Sequence, residues 1–406
     1  MKKLTIQDIQ DWAGKRALVR EDFNVPLNDS LDITDDTRIR EALPTLDYLT
    51  SRGAKVVIMS HLGRPKGKPS AEFSLGPVAK RLQELLPETK IVANTQSVSE
   101  EFEQIAQAIE AMPNGSILLL ENMRFEPGEE KNDPELAQKL ARFGDVYVND
   151  AFGTAHRAHA STEGVAHHLK PKVAGLLMER EIKALSETLS SSEPLTAVIG
   201  GSKISTKITV LENLLDKVTH LVIGGGMLFT FLKAQGKPVG NSLVEDDYVA
   251  MAKTLLTKGG SKIVLAEDIV VADGFKADAK HQVVSADAIP DGWMGLDIGP
   301  KSIQRLTDIL SESPVVLWNG PLGVFEFPAF EQGTRQVAET LAVCTESGKT
   351  RSILGGGDTV AAIEQFGIDP KRYTHVSTGG GASLEFLEGK TLPGIAVLDE
   401  ATAPVH

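Results

Sequence analysis

The sequence predicts an α/β protein built from two doubly wound parallel-sheet domains. Three observations carry that prediction: apolar runs of strand length recur along the whole chain, helix-period stretches separate most of them, and 406 residues exceed what one hydrophobic core usually holds. The runs are nearly continuous in apolar residues, the pattern of strands covered on both faces.

In the first half the strand-like runs lie at 17–20, 56–60, 90–93, 117–120 and 145–149. The stretches 37–53 (TRIREALPTLDYLTSRG) and 75–87 (LGPVAKRLQELLP) repeat apolar residues three and four apart, as a helix with one buried face requires. Residues 175–189, GLLMEREIKALSETL, read as one amphipathic helix followed by SSSEP. It is either a hinge element or simply the last helix of the first domain. The second half continues with runs at 195–199, 219–223, 262–266, 315–318, 351–354 and 374–378. Alternation of strand and helix gives parallel βαβ units in each half.

The loops that end these runs differ between the halves. Those of the first half carry Arg20, His61, Arg64, Arg124, His156, Arg157 and His159 at or just beyond strand ends. Ligands of open parallel sheets bind outside the carboxyl ends of the strands, so this is the signature of a site for a small anion. In the second half AVIGGSK, LVIGGGM, ILGGGD and VSTGGGAS each break a strand into glycines, and no adjacent glycine pair occurs before Gly200. Glycine lets an anion approach backbone N–H groups without a Cβ in the way, which suggests a phosphate cradle with several walls.

A formal charge of −13 argues against nucleic acid as a default partner. The single cysteine, Cys344, has no internal disulfide partner, and the opening MKKLTIQDIQDW turns polar at once. Around the second glycine cluster, the uncharged stretch 218–232 is shorter than the ~20 apolar residues of a membrane span. A cytoplasmic location without membrane association is the expectation.

Known phosphate motifs fit poorly. GKT at 348–350 and at 389–391 lacks the earlier glycine of a P-loop, and no dinucleotide fingerprint stands in the right setting. GGSKISTK places Lys203 and Lys207 four apart at an expected helix opening, on one face, where cations oppose the helix dipole unless an anion lies between them. Asp358, directly after a glycine cluster, reads either as a ligand of Mg²⁺ shared with phosphates or as an N-cap. Glu326, on a loop broken at Asn319-Gly-Pro and Gly323, suits acceptance of hydrogen bonds from ribose hydroxyls, with a solvated loop residue as the alternative. HRAH at 156–159 has no third ligand nearby and fits an anion-binding or structural role better than a metal site.

Taken in order, REDFNVP, SHLGRP, LLENMRF, NDAFGTAHRAHAS, GGSKISTK, GGGM, WNGPLGVFE, GGGDT and STGGGASLE span nearly the whole chain and closely resemble the phosphoglycerate kinase family. The resemblance implies two Rossmann-like lobes joined by a hinge helix. The expected division is 1–174 for the acid substrate, 175–190 for the hinge, 191–387 for Mg-nucleotide, and 388–406 returning to the first lobe. It implies 3-phosphoglycerate at Asp22, Asn24, Arg38, His61, Arg64, Arg124 and Arg157, with Arg38 nearest the transferring group. It implies nucleotide at Gly201, Lys203, Lys207, Gly225, Gly226, Asn319, Pro321, Glu326, Gly355, Gly356, Gly357, Asp358 and Thr359, with Mg²⁺ on Asp358. Arg38, Lys203, Gly357 and Gly380 are the expected catalytic set.

The implied partners are 3-phosphoglycerate or 1,3-bisphosphoglycerate and ATP or ADP, acting on a monomer. The implied reaction needs no general base, because both nucleophiles are already ionised. Sites on separate domains also require the lobes to approach. One departure is visible: Glu21 stands where the family usually has a small apolar residue, which bears on packing at the first strand end. A non-enzymatic nucleotide sensor and a kinase for another small carboxylate are the alternatives.

Overall fold

The computed structural model describes residues 2–401. The chain divides into two compact units, one running to Lys183 and resuming at Thr391, the other covering Ala184–Lys390. In the first unit the strands are β1 (Arg16–Arg20), β2 (Lys55–Met59), β3 (Ile91–Ala93), β4 (Ile117–Leu119), β5 (Val146–Asn149) and β6 (Lys172–Ala174). They form one sheet, in the order β3-β4-β2-β1-β5-β6, with every pairing parallel. From β1 the chain winds outward through β2, and from β5 it winds the other way to β6. The direction of the connections therefore reverses between β1 and β5, and that crevice is where such a sheet receives a ligand.

Helices α1 (Thr37–Ser51), α2 (Gly76–Leu85), α3 (Phe102–Ala111) and α4 (Pro134–Ala141) complete this unit. Ile39, Ala42, Leu46 and Leu49 of α1 pack on Ala17, Val19, Val146 and Val148. The alternate strand residues Leu18, Val57, Leu118 and Tyr147 are buried as well, so both faces are covered and the apolar runs are continuous for that reason. Helix α1 stops short of the expected 53 because Gly53 adopts φ +77°, a left-handed conformation that ends a helix. Strand β6 escapes the sequence reading: it is three residues long.

The junction helix α5 (Leu176–Leu189) begins one residue later than expected, and the division between the units falls inside it, after Lys183. The returning segment begins at 391 where 388 was expected; its last five residues, 402–406, lie outside those described. Leu4 N–H donates to Asp399 O (2.8 Å), Lys3 Nζ to Leu398 O (3.0 Å) and Asn149 Nδ2 to Gly394 O (3.0 Å), so the described part of this segment is bonded into the first unit.

The second unit repeats the architecture. Strands β7 (Leu195–Ile199), β8 (His220–Ile223) and β9 (Ile263–Val264) lead to an insertion of β10 (Asp268–Ala272), β11 (His281–Ser285) and β12 (Met294–Ile298). Beyond it come β13 (Val315–Asn319), β14 (Arg351–Gly355) and β15 (His375–Val376). The parallel sheet has the order β15-β14-β13-β7-β8-β9, and its winding reverses between β13 and β7. The insertion forms a separate antiparallel sheet, β11-β10-β12, that the sequence reading does not foresee. Its edge strand β11, HQVVS, is mostly solvent-exposed and carries no buried apolar run to recognise.

The helices of this unit are α6 (Ile208–Leu215), α7 (Leu228–Ala234), α8 (Val249–Gly259), α9 (Pro300–Glu312), α10 (Gln332–Glu346), α11 (Gly357–Gln365) and α12 (Gly380–Leu387). A last short helix, α13 (Pro393–Ala396), belongs to the returning segment. No helix among the described residues is long and apolar enough to cross a membrane.

Candidate functional site

Each unit gathers its expected residues at its own switch point. In the first, Asp22 and Asn24 follow β1, His61 and Arg64 follow β2, Arg124 sits in the 3₁₀ turn after β4, Arg157 follows β5, and Arg38 is in the first turn of α1. Asp22 anchors the group. Burial by itself would push its carboxyl up, but the Arg38 and Arg20 guanidiniums and the Asn24 N–H hold it below the usual carboxylate range. The Arg38 Nη1 to Asp22 Oδ2 distance is 2.7 Å. Asn24 Oδ1 accepts the Gly63 N–H (2.8 Å), and Arg124 Nη1 donates to Gly63 O (2.8 Å), so the β2 loop is held from both sides.

His61 is a buried ring held well below its ordinary pKa, by burial first and then by Arg20, Arg124 and Arg38. It is therefore neutral at physiological pH. Arg20 Nη2 lies 3.2 Å from His61 Nδ1. A guanidinium only donates, so Nδ1 is the acceptor and Nε2 carries the proton. Arg20 itself is fully buried and its Nε donates to Ser161 Oγ (2.8 Å), which Glu129 holds in turn. It buttresses the site from beneath. Its position before Asp22 places it among the strand-end cations, but nothing in the sequence distinguishes a buttress from a ligand.

Among the described residues Arg64 is exposed and makes no hydrogen bond or ion pair, and the Arg157 side chain has one hydrogen bond, to His156 Nε2 (3.3 Å). Two like-charged side chains with so few partners, beside the Arg38–Asp22 pair, leave an excess of positive charge for a small anion. His159 is buried and pushed down to about 4 by burial and the surrounding arginines, which suits a packing role.

In the second unit a cavity of about 550 Å³ is lined by Gly201, Gly225, Gly226, Pro321, Glu326 and Asp358 together with an apolar floor of Phe229, Leu243 and Met294. The floor residues carry no motif and are invisible to the sequence reading; they come from α7, the loop after it, and β12. Their chemistry suits a flat aromatic ring.

The glycines have a reason beyond anion access. Gly201 N–H donates to Pro321 O (3.1 Å) and Gly225 N–H to Leu322 O (3.0 Å), so neither is free for a phosphate. A Cβ on Gly200 would stand 1.9 Å from Pro321 O, and one on Gly225, at φ +70°, 2.4 Å from Gly201 O. Three strand-end loops pack backbone to backbone here, and only glycine permits it. The free N–H groups lie instead at the openings of α11 and α12, where Gly357 and Gly380 each head a helix with no preceding turn to bond.

Two local expectations change. Lys203 and Lys207 do not share a face of one α-helix: a 3₁₀ turn, Ile204–Thr206, separates them, and α6 starts only after Lys207. Lys203 stays exposed and its ammonium has no hydrogen bond or ion pair among the described residues. Lys207 is largely buried, is lowered by that burial, and donates to Asn319 Oδ1 (2.5 Å) at the end of β13. Asp358 is not an N-cap, because Gly356 occupies that position. Its exposed carboxylate is free of hydrogen bonds and ion pairs among the described residues.

A lone free carboxylate beside helix N-termini suits a hard divalent cation that takes its remaining ligands from phosphates and water. Among the described residues no group of three or more His, Cys, Asp or Glu could hold a metal by itself. Gly355 and Gly356 border the Asn319 amide, and the buried Thr359 hydroxyl accepts Gly320 N–H (2.7 Å), bracing the β13 loop.

Comparison with known proteins gives one consistent result. The family model described as phosphoglycerate kinase matches residues 6–390. A phosphoglycerate kinase of Picosynechococcus is 57% identical over 392 residues, covering 96% of this chain and 97% of its own. One from Chloroflexus aurantiacus is 56% identical over 405 residues, covering 99% and 100%. Among solved structures, the phosphoglycerate kinase of Coxiella burnetii matches with a TM-score of 0.87 at 42% identity, over 97% of this chain and 98% of that one.

Proposed function

Because the chain belongs to the phosphoglycerate kinase family and is a phosphotransferase with a carboxyl group as acceptor, we propose that its first unit holds the acid substrate and its second the nucleotide. The reaction is reversible phosphoryl transfer between the acyl phosphate of 1,3-bisphosphoglycerate and ADP, giving 3-phosphoglycerate and ATP. The observation that carries the division of labour is the contrast between the switch points: underpartnered arginines at one, glycine loops with Lys203 and Asp358 at the other.

On this reading Arg64, Arg124 and Arg157 neutralise the phosphate of the acid, and the His61 Nε2–H donates to it. Asp22 and Asn24 fix the loops and receive the hydroxyl end. Arg38 turns from Asp22 toward the carboxyl group that accepts the phosphoryl. Lys203 accompanies the moving group, while the N–H groups opening α11 and α12, at Gly357 and Gly380, stabilise charge on its equatorial oxygens. Lys207 and Asn319 sit behind the phosphates, Thr359 braces the loop they rest on, and Glu326 holds the ribose.

Mg²⁺ carried with the nucleotide supplies charge neutralisation at the phosphate oxygens, and Asp358 is the residue suited to hold it. Neither nucleophile needs deprotonation, so positioning and electrostatics suffice. Approach of the two units over their substrates completes the proposal and excludes water that would hydrolyse the acyl phosphate. A cytoplasmic monomer is the form we assign.

The test is a coupled assay with 3-phosphoglycerate, ATP and Mg²⁺, repeated with EDTA and with glycerate lacking the phosphate. Turnover that needs both metal and phosphate supports the assignment. Equal turnover of glycerate would favour a kinase for another small carboxylate, and none at all in folded protein would favour a nucleotide sensor.

A further inference from the structure

Strand alternation extends the buried row of β1 from Ala17 and Val19 to residue 21, and the row of β5 from Val146 and Val148 to residue 150. In β1 and β5 these rows lie side by side, with Arg20 in register with Asn149 and the next pair in line being Glu21 and Asp150. Asp150 N–H donates to Arg20 O (2.9 Å), so the parallel pairing continues to that point. Two acids thus occupy adjacent places in a row that is apolar up to there, and both are fully buried.

Their hydrogen bonding is incomplete in one particular way. Among the described residues both oxygens of Glu21 and Oδ2 of Asp150 have no hydrogen-bond partner, whereas Asp150 Oδ1 accepts Met178 N–H (3.0 Å) at the head of α5. An ionised carboxylate only accepts, so two of them face to face leave such a set of stranded oxygens; one proton between them supplies the missing donor.

We infer that Glu21 is a positioning residue: it stays protonated and donates its O–H to Asp150, tying the end of β1, and with it the adjacent Asp22, to the head of the junction helix. The charged groups around the pair agree. Glu21 is pushed well above the usual carboxyl range by burial, then by Asp150, with Arg20 opposing and Asp22 adding to the push. Asp150 is pushed to about 6 by burial, against the Thr45 hydroxyl of α1, the Met178 and Leu177 N–H groups and Arg180 of α5. Asp150 is thus the ionised member and Glu21 the neutral one near neutrality. Loss of the shared proton places two buried like charges side by side directly behind the acid-substrate site.

A carboxyl whose folded pKa is raised gives stability that is full below its unfolded value and is lost as pH rises toward the folded one. The intact chain should therefore lose stability on the alkaline side relative to Glu21→Gln, which keeps a donor but cannot ionise. Melting of both proteins from about pH 5 to about pH 9 is expected to show a gap that opens with pH by at least about 2 °C. Over the same range KM for 3-phosphoglycerate should climb in the intact chain and climb less in Glu21→Gln.

Infrared difference spectra of intact chain minus Glu21→Gln at neutral pH should contain the C=O band of a protonated carboxylic acid. Parallel melting curves, or a difference spectrum holding only carboxylate bands, would overturn the inference. Should Glu21→Gln fail to fold, Glu21→Val takes its place in the same spectrum and the same pH series.

Discussion

At the scale of single residues, the first-unit cations differ in how fully they are already engaged. Arg38 is paired with Asp22 at 2.7 Å, whereas Arg64 is unpaired among the described residues. A cation that must leave one partner to meet a developing charge acts chiefly in the transition state. Arg38→Ala is therefore expected to lower kcat much more than it raises KM, and steady-state kinetics showing only a raised KM would remove it from the transfer step. Arg64→Ala and Arg157→Ala should each delete a charge-assisted hydrogen bond of ~1.5–3 kcal/mol. That is on the order of ten- to a hundredfold in 3-phosphoglycerate affinity. An unchanged dissociation constant by calorimetry in either variant would place that arginine outside the binding set. Arg64 and Arg157 were legible as candidates because each stands just after a strand-like run, whereas Arg38, in the first turn of α1, was indicated only by the family resemblance. The buttressing role of Arg20 and the Glu21–Asp150 pair were not legible, since the first depends on Ser161 and His61 folding onto Arg20 and the second on the register of β1 against β5, which sets residues 129 positions apart side by side.

Elements show why the glycine clusters had a meaning the sequence only half revealed. The loops after β7, β8 and β13 touch through their backbones, so the cavity depends on the absence of side chains as much as on exposed N–H groups. Gly225→Ala adds a Cβ that meets Gly201 O and strains a left-handed φ. It should weaken ADP binding at least about tenfold and leave 3-phosphoglycerate binding unchanged, a contrast that titration of each ligand reads directly. Asp297 of β12 supports a neighbouring element: its carboxylate accepts Gly333 N–H (2.9 Å) at the start of α10, and burial pushes it up to about 7. With a raised folded value, its contribution is present at acid pH and lost as pH rises from about 4, its ordinary value, toward 7. Hydrogen-exchange protection of α10 should weaken over that window in the intact chain and stay flatter in Asp297→Asn.

For the whole molecule, the two chain ends are part of one unit. Leu4, Lys3 and Asn149 bond to Asp399, Leu398 and Gly394, so the first unit is completed by a segment that follows the whole second unit in the chain. Deleting the chain from Thr391 should reduce hydrogen-exchange protection around β1, β5 and β6 while leaving β7, β13 and β14 protected; equal loss in both units would contradict that. The α/β class, the two parallel sheets, the family and the grouping of charge in one half and glycine in the other could all be read along the chain. These are local properties, set by strand-length apolar runs and by the residue types immediately beyond each run. The antiparallel insertion, the apolar floor of the nucleotide cavity, the engagement of Gly201 and Gly225 by other loops, and the pairing of Glu21 with Asp150 came only with the folded chain. Each depends on which strands become neighbours, and neighbour choice comes from burying every sheet face at once, which no local pattern encodes.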